Sequence, residues 1–165
     1  MCRFVRNKEI VLKLLIGIFR RAVVFLYQND DEFKSMLLKS GVRCFSISIL
    51  KTGLYVNVIL DGKGISVESF YKKCELDMIF KEPCTAFKAF SGLISLEEAF
   101  AQKGIILKGS IAKALAITRA VKRLQTLIFP DIWIKRVFKE FEKSGAKERL
   151  TFYKFYLYCI VNLGR

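Results

Sequence analysis

The stretch FKAFSGLISLEEAFAQKGIILKGSIAKALAITRAVKRL, Phe87 to Leu124, contains Gly104-Ile105-Ile106-Leu107-Lys108-Gly109, a short apolar run bracketed by glycines. The run predicts a brief strand, Ile105 to Lys108, with Gly109 permitting a tight exit. Before it, Pro83 opens a short helix, Cys84 to Ser91, which Gly92 closes; proline at the start and glycine after the end is the expected asymmetry. Ser95 caps a second short helix ending at Gly104, and Glu98 stands where a capping box places its acid. After the strand, Ser110 caps a long helix from Ile111 to Phe129, and Pro130 stops it.

Upstream of this stretch the period is two. Phe45, Ile47 and Ile49 alternate with Ser46 and Ser48 from Val42 onward. Thr52-Gly53 makes a turn, and Leu54, Val56, Val58 and Leu60 alternate with Tyr55, Asn57 and Ile59. Asp61-Gly62 is a hairpin signal. Ile65, Val67 and Ser69 continue a third strand, and Cys74, Leu76, Met78 and Phe80 alternate with Glu75 and Asp77 in a fourth. The pattern predicts an antiparallel meander with one covered and one more polar face. Further upstream, Lys8 to Tyr27 reads as a helix with a wide apolar surface. Asn29-Asp30-Asp31-Glu32 suits the start of a second helix ending near Gly41, since carboxylates are favoured beside exposed N–H groups. Past Pro130, Ile134, Val137, Phe138 and Phe141 form one helical stripe, Ser144-Gly145 breaks it, and a final aromatic helix follows.

Composition narrows the function. The chain has 165 residues, the size of one domain with extensions, and 53% of them are hydrophobic. Fifteen phenylalanines, which carry no polar handle, point to core, cavity wall or membrane contact. A net charge of +14, from 29 Lys and Arg against 15 Asp and Glu, attracts anionic lipid, nucleic acid or an acidic protein. Histidine is absent, so a Ser-His or Cys-His hydrolase is excluded. No nucleophile motif is present, and the reading is non-enzymatic, with no cofactor and no metal. Five widely spaced cysteines without C-x-x-C read as free thiols in a reducing cytosol. The apolar N-terminal segment is interrupted by Lys13, Arg20 and Arg21, and it lacks a small-residue cleavage site, so it reads as a retained amphipathic helix.

The order of elements resembles the sterol carrier protein 2 (SCP2) family of lipid-binding domains over roughly 42–128. The carrying residues are Asp77 on a strand leading to a short helix, Phe90 and Gly92, Ala99-Phe100, the run Gly104 to Gly109, and the helix with Ala112, Ala114, Leu115 and Leu124. Ser110 replaces the Asn or Asp usual there and still caps. The resemblance implies an α+β fold: a five-stranded, mainly antiparallel sheet covered by helices on one face, with an apolar tunnel between. It also implies binding of a fatty acyl chain, sterol or other lipid without covalent chemistry. The chain ends Asn-Leu-Gly-Arg, without a peroxisomal signal, which suits a bacterial cytoplasmic carrier. The expected organisation is N-terminal helices over 1–41, the lipid-binding domain over 42–129 and a helical extension over 130–165 packed on it.

The expected lipid-lining residues are Phe45, Ile47, Phe87, Phe90, Phe100, Ile105, Leu107, Ile111, Leu115, Val121 and Leu124. Apolar helical stripes are usually core, so core packing and cavity wall both stand as readings of this set. Lys13, Arg20, Arg21, Lys113, Arg119, Lys122 and Arg123 are candidates for a lipid headgroup or an anionic membrane; the plainer alternative is a solvated face for the last four, and for the first three a helix that packs on the sheet or on a partner chain. Three functional classes follow. One is a cytoplasmic lipid carrier, peripheral at membranes. Another is an accessory scaffold that presents a lipophilic substrate to a protein partner, alone or as a homodimer. The third, and least supported, is a nucleic-acid module: the basic residues are scattered and no reading motif appears.

Overall fold

A computed structural model describes residues 6–50, 52–61, 64–70, 72–128, 151 and 154–158. Along the chain run α1 (Arg6–Asn29), α2 (Asp31–Lys39), β1 (Cys44–Ile49), β2 (Leu54–Asp61), β3 (Gly64–Glu68), β4 (Leu76–Phe80), α3 (Pro83–Phe90), α4 (Leu96–Ala101), β5 (Ile105–Lys108) and α5 (Ile111–Ile128). The class is α+β. The helices expected over 131–150 lie outside the described residues.

Local chemistry explains the helix starts. Asp30 accepts a hydrogen bond from the Phe33 N–H at 2.7 Å and so caps α2. Ser95 accepts from the Glu98 N–H at 3.0 Å. Glu98 does not complete the capping box: its Oε1 accepts from Gln102 Nε2 instead.

The sheet order is β3-β2-β1-β4-β5. β1, β2 and β3 form the expected antiparallel meander, but β4 leaves it and pairs with β1 in parallel, Phe45 opposite Leu76 and Ile49 opposite Phe80. The fourth strand is therefore not a continuation of the meander, and the sheet is mixed. A parallel partner needs a crossover, and here the described residues 69, 70 and 72–75 belong to it. They pass from the β3 edge over β2 and β1.

One sheet face is apolar throughout. Phe45, Ile47, Ile49, Val56, Val58, Leu76, Met78 and Phe80 all point to it and are buried. The helices gather there: Phe19 of α1 meets Phe90 of α3 edge-on, with centroids 5.2 Å apart, and Phe90 meets Phe80 at 5.9 Å. α5 is held to α2 by Arg123, which reaches Asp30 and Glu32 at 2.9 Å each.

The opposite face is the more polar one that alternation predicts, but it too is covered. The row Asn57, Ser46, Asp77 is buried because the crossover lies over it. Asn57 Nδ2 donates to the Phe70 carbonyl. Cys74 of the crossover is disulfide-bonded to Cys44 of β1, with Cα atoms 5.0 Å apart. This corrects the expectation of free thiols for that pair. Ser46 Oγ donates to Asp77 Oδ1 at 2.6 Å. Ser46→Ala is expected to lower stability by about 1.5–3 kcal/mol, since a buried carboxylate loses its hydroxyl partner; urea unfolding measures it.

Glu75 ends the crossover and ties it to α5. Its Oε2 accepts from Lys113 Nζ at 2.8 Å, and its Oε1 accepts from the Arg43 and Cys44 N–H groups. The Lys113 hydrogen bond, then that of the Arg43 amide, holds its carboxyl below the ordinary 4.5. A lowered folded value stabilises the fold above the unfolded pKa. That contribution is lost as pH falls through the folded value. The stability gap between the wild type and Glu75→Gln is thus expected to be constant from neutrality to about pH 5 and to narrow on further acidification. Thermal midpoints across that range check it.

Candidate functional site

Between the apolar sheet face and the helices lies a cavity of about 160 Å³. α1 contributes Leu15, Ile18 and Phe19, which share a face at helical spacing. The sheet contributes Ile47 and Phe80, α3 and α4 contribute Ala89, Phe90 and Leu96, and α5 contributes Val121, Leu124, Gln125 and Ile128. Tyr156, in the helical segment 154–158, stands at its side. The single polar side chain among the buried lining residues is Gln125.

A second, wider concavity of about 750 Å³ adjoins it. Lys13, Leu14, Gly17, Arg20, Arg21, Val24, Val67 and Tyr158 line it, and Ile18 and Tyr156 belong to both. These two side chains form the join between an apolar chamber and a basic groove. Lys13 pairs with Glu9 at 3.2 Å. Among the described residues neither Arg20 nor Arg21 has an acidic partner, and Arg20 Nε is buried without an acceptor.

The expected lining residues divide into three groups. Ile47, Phe90, Val121 and Leu124 line the cavity. Phe45 and Ile105 are buried in the surrounding core, and Phe87, Phe100 and Leu107 pack against it half-buried. Ile111 and Leu115 face outward, 78% and 47% exposed. At 100° per residue they fall outside the arc of α5 occupied by Ile117, Val121, Leu124 and Ile128. Of the lining residues that the sequence pattern does not single out, Leu15, Ile18 and Phe19 come from α1, where the Leu15–Phe19 pair at i,i+4 is the available signal.

The expected headgroup cations divide as well. Lys113 is engaged by Glu75, Lys122 lies 3.7 Å from Glu97, and Arg123 is held by Asp30 and Glu32. Arg119 is exposed. Lys13, Arg20 and Arg21 are the ones that border the cavity mouth.

Size limits what fits. A cavity of roughly 150 Å³ lined by Leu, Ile and Phe admits a benzene ring, so this one admits a ring or a chain segment of about six carbons. Burying six methylenes at ~0.8 kcal/mol each gains about 5 kcal/mol before entropy costs. The extended tunnel that the family resemblance implies is larger than this chamber, and further carbons would lie in the groove. Among the described residues no cluster of His, Cys, Asp and Glu could hold a metal, and no helix is long and apolar enough to cross a membrane.

No protein-family profile matches the chain, and no curated protein matches its sequence. Solved structures do. The chain is similar in fold to "UbiJ-SCP2 Ubiquinone synthesis protein", at 10% identity over 68% of this chain and 91% of that one, TM-score 0.49. It is similar to the sterol carrier protein domain 2 of Helicoverpa armigera at 20% identity, covering 66% and 86%, TM-score 0.48. Apo sterol carrier protein 2 from Yarrowia lipolytica matches at 16% identity, covering 66% and 88%, TM-score 0.48. At these scores the fold stands on this chain's own strand order and helix placement.

Proposed function

We propose that this chain binds a lipid without chemical conversion, burying one apolar ring or chain segment between sheet and helices. The observation that supports this most is the apolar chamber itself, walled by Phe19, Phe80 and Phe90. Well-packed interiors keep few voids larger than a water molecule, and a chamber of this size and lining favours an apolar guest. Its volume favours a single ring or chain over a whole four-ring sterol. The remainder of the ligand lies past Ile18 and Tyr156 in the groove, where Arg20 and Arg21 suit an anionic headgroup. The chain's net charge of +14 suits exchange with an anionic membrane.

Decanol tests this reading because it carries no charge and needs no headgroup site. At a tenfold excess over its Kd, decanol is expected to raise the thermal midpoint by about 3–6 °C. An unchanged midpoint, with no binding heat, would remove the reading.

A further inference from the structure

Gln125 is the odd residue in the chamber. It is 3% exposed, lines the apolar wall, and stands among Leu124, Val121 and Ile128 on the face of α5 turned to the sheet. Its Nε2 donates to the Ala89 carbonyl at 2.8 Å. That contact fixes the amide orientation, since a carbonyl can only accept. The other amide atom is then Oε1, and it is buried with no hydrogen-bond donor.

The fold does not need this side chain. The Ala89 carbonyl also accepts from the Gly92 N–H at 3.1 Å, inside the turn that ends α3. A leucine at 125 would leave that carbonyl satisfied and would remove an unpartnered acceptor from an apolar interior. Unmade hydrogen bonds of this kind are costly. As it stands Oε1 is closed to a water-sized group, the chamber included; a donor in the chamber meets it when the Gln125 amide turns toward the cavity that the side chain lines.

Resting on the lipid-binding reading above, we infer that the part of the ligand entering the chamber carries a hydroxyl, which donates to Gln125 Oε1. Gln125 is thus a specificity-determining residue. It accepts an alcohol or phenol and disfavours the same shape without a donor. A carboxylate, which has only acceptors, is likewise disfavoured at this point and belongs in the groove. Sites built to hydrogen-bond a hydroxyl discriminate strongly against analogues lacking it, because the site's own polar atom stays unpaired.

The test uses small probes matched in shape and sized to the chamber. Phenol is compared with toluene, and cyclohexanol with methylcyclohexane, by calorimetry on the full chain and on Gln125→Leu and Gln125→Met. The ratio of the two Kd values within a pair cancels shape. The ratio in the wild type divided by that in the variant cancels the cost of dehydrating the hydroxyl. This quotient is expected to favour the hydroxyl probe at least tenfold in the wild type. A larger quotient for the phenol pair assigns a phenolic ligand, and a larger one for the cyclohexanol pair an aliphatic alcohol. A quotient near one for both pairs overturns the inference and leaves the lipid-binding reading standing. No binding of any probe to the wild type overturns both. Failure of both variants to fold would make the Ala89 contact a structural requirement, and the inference would fall.

Discussion

Gly109→Ala is expected to destabilise the fold by about 3 kcal/mol or more. Gly109 sits at φ +121°, which L side chains rarely adopt, and a Cβ there would come within 2.5 Å of the Glu75 carbonyl and 3.2 Å of Leu76 Cδ1. Neither neighbour can retreat cheaply. Glu75 ends the crossover, and Leu76 begins β4 and is fully buried. The exit of β5 must press this closely on β4 because β5 is only Ile105–Lys108 and α5 starts at Ile111. Gly53→Ala is the control: it also has positive φ, but nothing lies within 4 Å, so about 1 kcal/mol is expected. Urea unfolding of the two variants separates close approach from backbone conformation. Equal losses would mean that β5 and β4 can part.

Val121→Phe should cut binding of apolar ligands at least tenfold while leaving the fold intact. Val121 is 5% exposed and lines the chamber. A larger side chain in a filled core typically costs about 1–3 kcal/mol. Here the added ring has about 160 Å³ to enter, so its burial offsets the strain and the thermal midpoint is expected to hold or rise. The check is decanol titration beside thermal unfolding. Unchanged binding in a stable variant would place the ligand elsewhere than the chamber. Loss of binding together with a collapsed midpoint would show that the void is not available to a side chain.

Much of this architecture is legible in the sequence, and the reason is local. Asp30 and Ser95 cap their helices through bonds three residues away, and Gly104 and Gly109 bracket β5 as their chemistry predicts. What is not legible depends on distant pairing. Nothing within β4 says that its neighbour is β1 rather than β3, since alternation is the same for either. The burial of Asn57 and Asp77 follows from that choice, because only a parallel β4 sends the crossover that carries Phe70 and Cys74 across the second face. The Cys44–Cys74 disulfide joins residues 30 apart and has no spacing signature. The chamber is legible only in part. Ile47, Phe90, Val121 and Leu124 are found from the strand and helix periods. α1 is amphipathic on two adjacent faces, and periodicity alone does not tell which meets the sheet. Gln125 escapes a reading of the sequence for a simple reason: one glutamine in a basic helix looks like a surface residue until its neighbours are known.

The most direct test of lipid binding in the chamber is native mass spectrometry of the freshly purified chain after a high-salt wash, set against its denatured mass. The expected result is an added lipid mass that survives the wash, vanishes on denaturation and is missing from Val121→Phe. A bare mass in the wild type, unchanged after incubation with decanol, would contradict it.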